Sequence, residues 1–180
     1  MFKTIAVLLV LVVAVLLGYA ASRPDSFHVE RSITIQAPAD RLHPQINDLR
    51  RFNTWNPYLR KDPAMQGEYS GAVAGPGAVY AFHGNKEVGR GRIAITETSA
   101  PNSVTMQLDM LEPFEAHNVV RFTLVPEGEG ATRVTWAMDG ASPFLAKLVG
   151  VFLNMDQMIG RDFEAGLFHL KSLAEKPAAS

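Results

Sequence analysis

The stretch that decides the fold runs from Val104 to Gly140: VTMQLDMLEPFEAHNVVRFTLVPEGEGATRVTWAMDG. Pro113 and the turn Glu127 to Gly130 divide it into three runs of near-strict alternation. These are expected as strands over Val104 to Leu111, His117 to Val125 and Thr132 to Gly140. One face collects Val104, Met106, Leu108 and Met110, then Val120, Phe122 and Leu124, then Val134, Trp136 and Met138. The other holds Thr105, Gln107, Asp109, Arg121, Thr123, Arg133, Thr135 and Asp139. A sheet with this pattern is covered on one side and wet on the other.

The cover lies downstream. After Pro143, with Ser142 as the expected cap, Phe144, Leu148, Phe152, Met155, Ile159, Phe163, Leu167 and Leu170 recur every three or four residues to about Glu175. Arg161, Asp162, Glu164 and Lys171 fall largely off that stripe, so one long amphipathic helix is expected. Upstream, His28 to Gln36 alternates as a first strand, with Val29, Arg31, Ile33 and Ile35 on one side. Ala37-Pro38-Ala39-Asp40 breaks it, with Asp40 placed to cap a short helix carrying Leu42, Ile46 and Leu49. A second short helix holds Phe52 and Trp55 and ends at Asn56-Pro57. Further strands are expected near Met65 to Ser70, Ala78 to His83 and Glu87 to Thr98, separated by Gly-rich turns. The fold class is therefore α+β. A curled antiparallel sheet of about six or seven strands wraps a long C-terminal helix, because only that arrangement buries both apolar surfaces.

The first residues are of another kind. Ile5 to Ala21 carries no charge, and its roughly 17 residues span about 25 Å as a helix, the short end of what crosses a bilayer. Leu and Val up to position 17 favour a retained transmembrane anchor, with Tyr19 placed as an interfacial aromatic. A cleaved signal peptide is the competing reading, because Gly18-Tyr19-Ala20 has small residues at cleavage spacing. Lys3 before the segment is nearly balanced by Arg23 and Arg31 after it; the short basic tail points to a domain on the periplasmic side. The expected organisation is an anchor over residues 1–22, a linker over 23–27, one domain over 28–175 and a disordered tail over 176–180.

Composition removes several function classes. With 17 Lys and Arg scattered among 18 Asp and Glu, there is no concentrated basic face for nucleic acid. With no cysteine there is neither a thiolate metal site nor a catalytic thiol. The histidines at 28, 43, 83, 117 and 169 show no helical i, i+4 pair, so no metal is expected, and no cofactor motif is present. Gly-x-Ser-x-Gly is absent, and Gly89-x-Gly91 follows a turn inside a hairpin, which does not support a phosphate loop.

Read in order, the chain resembles the SRPBCC superfamily, which includes START-like lipid carriers and proteins labelled polyketide cyclase/dehydrase. The resemblance covers roughly residues 28 to 175. It is carried by Glu30-Arg31-Ser32-Ile33 with Ala37-Pro38, by Trp55-Asn56-Pro57, and by Gly75-Pro76-Gly77-Ala78. It continues through Gly89-Arg90-Gly91-Arg92-Ile93, Thr132-Arg133-Val134-Thr135-Trp136, and Gly160-Arg161-Asp162-Phe163-Glu164-Ala165-Gly166-Leu167 with Leu170-Lys171. The similarity is greatest to the bacterial branch with an N-terminal hydrophobic segment. It implies a helix-grip fold with an inner cavity for a hydrophobic ligand; it does not imply a cyclase, since one fold hosts unrelated functions.

Candidate cavity-lining residues are Trp55, Tyr58, Tyr80, Phe82, Met106, Leu108, Phe122, Trp136, Phe152, Met155 and Ile159, with Asn118 and Asp156 as polar groups placed to face inward. The same apolar residues would equally fill a core. The leading expectation is binding or transport of a hydrophobic small molecule (lipid, isoprenoid or polyketide-like) beside a membrane. One alternative is an enzyme of the cyclase, dehydratase or aromatase type, which needs converging titratable groups. Another is a protein-partner module of chaperone-activating or toxin-like kind, which needs a filled interior and an apolar patch on the outer sheet.

Overall fold

The computed structural model describes residues 2–151 and 154–176. Helix α1 (Phe2–Ser22) is followed by strand β1 (Ser26–Ile35) and three short helices, α2 (Ala39–Asn47), α3 (Leu49–Trp55) and α4 (Pro57–Lys61). Then come β2 (Gln66–Gly71), β3 (Ala78–His83), β4 (Arg90–Ser99), β5 (Ser103–Glu112), β6 (Ala116–Pro126) and β7 (Thr132–Ala141), and finally α5 (Phe144–Val149) and α6 (Met155–Ala174). The seven strands form one antiparallel sheet in the order β1-β7-β6-β5-β4-β3-β2. Hairpin connections build it outward from β7 to β2, and β1 returns to the far edge beside β7. Register shifts in the β4–β5 pair at Arg90/Gly91 and Ile95/Glu97 increase the local twist and help the sheet curl.

The alternation behaves as expected. Val104, Met106, Val120, Phe122, Leu124, Val134 and Trp136 are buried on the inner face, under α6 and the short helices. From α6, Phe163, Leu167 and Leu170 enter the same core. At its centre Phe52, Trp55, Phe122, Trp136 and Phe163 pack ring against ring, with Trp136 and Phe163 stacked at 4.3 Å and 11° and Trp55 edge-on to Phe122 at 5.9 Å. The Trp55 indole N–H donates to Gln45 O at 2.9 Å, so burying the ring leaves no donor unpaired. Gly166 admits this layer: a Cβ there would lie 2.6 Å from the Trp136 ring and 3.0 Å from Pro57.

Four expectations change. The long C-terminal helix is two helices, because Asn154 starts α6 afresh, its side chain accepting from the Gln157 N–H at 3.0 Å. Apolar spacing continues through the break, so periodicity alone did not register it. Pro143, not Ser142, stands at the cap of α5. Pro38 likewise caps α2, leaving Asp40 in the first turn, where its charge still suits the helix N-terminus. Asn56-Pro57 ends α3 but also starts α4, with Pro57 at the first helical position and Asn56 accepting from the Tyr58 N–H at 3.2 Å.

Helix α1 spans 21 residues, about 31 Å at 1.5 Å per residue, which matches the hydrocarbon thickness of a bilayer. Its apolar side chains are exposed almost throughout, with Leu9 and Val15 at 64% and 70%; Ala20, near its end, is fully covered.

Candidate functional site

Antiparallel register puts both ends of the grip in order. Ser26 faces Ala141, Asn118 faces Gly140, Leu108 faces Asn118, Gly91 faces Met110, and Phe82 faces Gly91. The start of β1, the end of β7, the β5–β6 turn and the end of β3 therefore share one end of the sheet, where α6 also begins. At the opposite end the inner face is closed, with Ile35, Val104, Val134 and Leu170 fully buried. At the α6-starting end Phe27, Phe82, Leu108 and Ile159 are only partly buried, and so are Tyr58 and Met110.

Among these apolar side chains lies one polar group with no local purpose. Asn118 is 6% exposed, and no partner faces its Oδ1 among the described residues. Its neighbour on β7 is Gly140, where a Cβ would lie 2.1 Å from that oxygen and 2.6 Å from the Phe27 ring. The glycine is what gives the amide its room. Deeper along β7, Trp136 Nε1 is also buried without a partner among the described residues; four residues of strand separate it from Gly140, about 13 Å. Buried polar atoms are nearly always hydrogen-bonded, so an acceptor and a donor left open on one apolar face call for an explanation.

The titratable groups nearby do not converge on this end. Burial pushes the Tyr58 phenol well above its ordinary range, helped by the charge of Asp162 and a hydrogen bond to it. Burial also raises Tyr80, with Tyr69 adding to it. Both phenols are thus neutral donors at physiological pH and not bases. Asp162 itself accepts from Lys61 Nζ at 2.7 Å, which ties α4 to α6. Asp156 is not an inward acid. It lies at the surface in a two-pronged pair with Arg31 (2.9 and 3.1 Å), which also reaches Glu164 at 2.8 Å. The hydrogen bonds from Arg31 hold its carboxyl below the usual range against the opposing effect of desolvation.

The candidate residues divide accordingly. Trp55, Met106, Phe122 and Trp136 are at most 3% exposed and Tyr80 is 5% exposed, so these fill the core instead of lining a space. Tyr58, Phe82, Leu108, Asn118 and Ile159 gather at the half-open end, and Met155 is exposed beside it. Phe152 lies outside the described residues. The expectation of a hollow interior gives way to a core filled around Trp55 and Trp136 and a set of partly buried inner side chains at the end where α6 starts. A depression of about 540 Å³ lies at this same end of the sheet, with Phe82 and Gly91 in its lining, and one of about 80 Å³ lies beside Leu49, Tyr69 and Ala78. The larger is on the outer face around Glu68, His83, Arg92 and Asp109. Sequence reading missed Phe27, assigned to the linker, and Gly140. Parity with Val29 would have placed Phe27 inside; nothing in the sequence paired Gly140 with Asn118.

Comparison with known proteins gives one family match, to the family described as "Polyketide cyclase / dehydrase and lipid transport", over residues 26–175. No curated protein matches the chain. Among solved structures it is similar to protein CV1439 of Chromobacterium violaceum at 14% identity and a TM-score of 0.59, covering 86% of this chain and 100% of that one. Truncated norcoclaurine synthase from Thalictrum flavum matches at 10% identity and a TM-score of 0.63, covering 84% and 96%. The Aha1 dimer from Colwellia psychrerythraea matches at 16% identity and 0.56, covering 83% and 96%. At such identities the likeness is one of fold.

Proposed function

The chain belongs to the polyketide cyclase, dehydrase and lipid-transport family, and from that premise we propose that it binds a hydrophobic small molecule at the half-open end of its grip, beside a membrane in which α1 is anchored. The observation that carries the reading is Asn118: a primary amide, buried on an apolar wall, whose oxygen has no partner among the described residues. Ligand sites for apolar molecules have this character, with mostly hydrocarbon walls and a few polar groups that fix orientation. A guest lying against Phe27, Phe82, Leu108 and Ile159 would cover their partly exposed surface and offer a hydroxyl or amide hydrogen to Asn118 Oδ1. The placement of α1 supports the tether. It ends three residues before β1, so the half-open end and the apolar helix lie together.

Neither alternative gains a specific observation. A cyclase-type enzyme needs acid and base groups that converge on the site, whereas Tyr58 is hydrogen-bonded to Asp162, Tyr80 is packed in the core and Asp156 is paired with Arg31 at the surface. A partner module needs a continuous apolar patch on the outer sheet, whereas the exposed Leu111 and Val125 lie at opposite ends of it.

The test is organic extraction of the purified full chain followed by mass spectrometry, with a fluorescent fatty acid titrated into the extracted protein. A co-purified apolar molecule or saturable probe binding is expected. A chain that carries nothing and binds no probe refutes the reading.

A further inference from the structure

Helix α5 is inside out. Its one cation, Lys147, is the buried residue, 7% exposed, with Nζ 2.5 Å from Asp25 Oδ1 in the segment after α1. Its apolar side chains face outward instead, with Phe144, Leu145 and Val149 exposed at 48%, 57% and 40%. Arg23, one turn past Ala20, donates to Gly150 O at 2.6 Å, and Ser142 N–H donates to Asp25 O at 2.7 Å, so both ends of α5 are stitched to the chain leaving α1. A helix on a water-facing surface carries the opposite polarity.

The same end of the domain exposes more. Phe114, in the β5–β6 turn, is 68% exposed, and Met155 and Met158 on the first turn of α6 are 38% and 50% exposed. Strand register places that turn, the start of α6 and α5 at the end of the sheet from which α1 departs. The exposed apolar surface of α1 meets α5, and the turn and the foot of α6 expose further apolar side chains at the same end of the sheet. Isolated exposed apolar residues are ordinary, but a set of them at the end that meets a bilayer-length apolar helix is not.

Resting on the tethered reading above, we propose that this end of the domain sits on the phospholipid bilayer that holds α1, with α5 lying in the interface and Phe144, Leu145 and Phe114 entering the acyl boundary. The half-open end of the grip then faces lipid directly, and the guest arrives from the bilayer without crossing water. Lys147 and Arg23 are already committed within the protein, so attraction rests on the apolar side chains, with the exposed carboxylates of Glu115 and Asp156 beside them left at the level of the headgroups.

The chain has no cysteine, which allows single labels. Full-length Leu145→Cys, Val125→Cys and Leu9→Cys proteins, each carrying an environment-sensitive fluorophore, are reconstituted in phosphatidylcholine vesicles containing lipids spin-labelled on the acyl chain. All three positions are exposed in the protein, so folding is preserved and is checked by tryptophan emission. The expected result is strong quenching at positions 9 and 145 and little at 125, which lies at the far end of β6. Quenching at 9 with position 145 no more quenched than 125 overturns the docking and leaves the tether standing. Absence of quenching at 9 overturns the tether, and the docking with it.

Discussion

Asn118→Leu separates stability from binding, and the structure predicts opposite signs for the two. An amide oxygen buried without a partner costs roughly 1–3 kcal/mol, and Asn118 is 6% exposed with Oδ1 unpartnered among the described residues. Leucine has nearly the same shape and leaves no polar atom behind, so the ligand-free variant should be more stable by about 1–2 kcal/mol. For a chain of this size that corresponds to a Tm rise of roughly 2–8 °C. Binding should weaken, because a guest oriented by that oxygen loses its acceptor. A loss of about 1–3 kcal/mol is about 5- to 150-fold in Kd. The assay is tryptophan fluorescence of the extracted full chain on heating, since both Trp55 and Trp136 report the core, with titration of the fluorescent fatty acid alongside. A variant that melts well below the parent would show that the oxygen already has a stabilising partner. An unchanged Kd would show that the guest does not use it. Either result refutes the assignment of Asn118.

Three further outcomes follow from the packing. Gly166→Ala should destabilise by about 1–3 kcal/mol in thermal melts, because its Cβ would meet the fixed Trp136 and Pro57 rings, a clash that outweighs the gain of about 1 kcal/mol in helix propensity. Trp55→Ala should cost about 3–5 kcal/mol by the same measurement, as it empties the centre of the five-ring layer. The Arg31 pairs should make the foot of α6 acid-sensitive. The Asp156 carboxyl is held below its ordinary range in the folded protein, so its contribution is complete above that range and is lost as pH falls through about 4 and lower. Hydrogen-exchange protection over Met155–Phe163 should drop across that window in the parent chain. In Arg31→Met it should be lower above that window and lose the acid step, so that the two chains converge below it; an identical profile in both chains would contradict the pairing.

Much of this was legible in the residues themselves. Alternation of apolar and polar side chains assigned the inner faces of β5, β6 and β7 correctly down to Val104, Phe122 and Trp136, because a strand buried on one face has only one register that keeps hydrocarbon from water. The spacing of Phe163, Leu167 and Leu170 placed α6 on that face for the same reason. The break at Asn154 was written in the chain as a cap residue but hidden by continuous apolar spacing.

What the sequence by itself determined, then, is the set of surfaces that must be hidden from water: one sheet face, one helical stripe and one bilayer-length segment. Burial is a property of pattern, and pattern is local. Tertiary structure alone decided which inward residues fill space and which leave it open, because that depends on what each meets across the core. Phe163 lies against Trp136, so that half is solid; Gly140 faces Asn118, so an amide is left waiting there. It also turned α5 over: Phe144 belongs to the apolar stripe by spacing, but the tie from Lys147 to Asp25 points the charge inward and the hydrocarbon out.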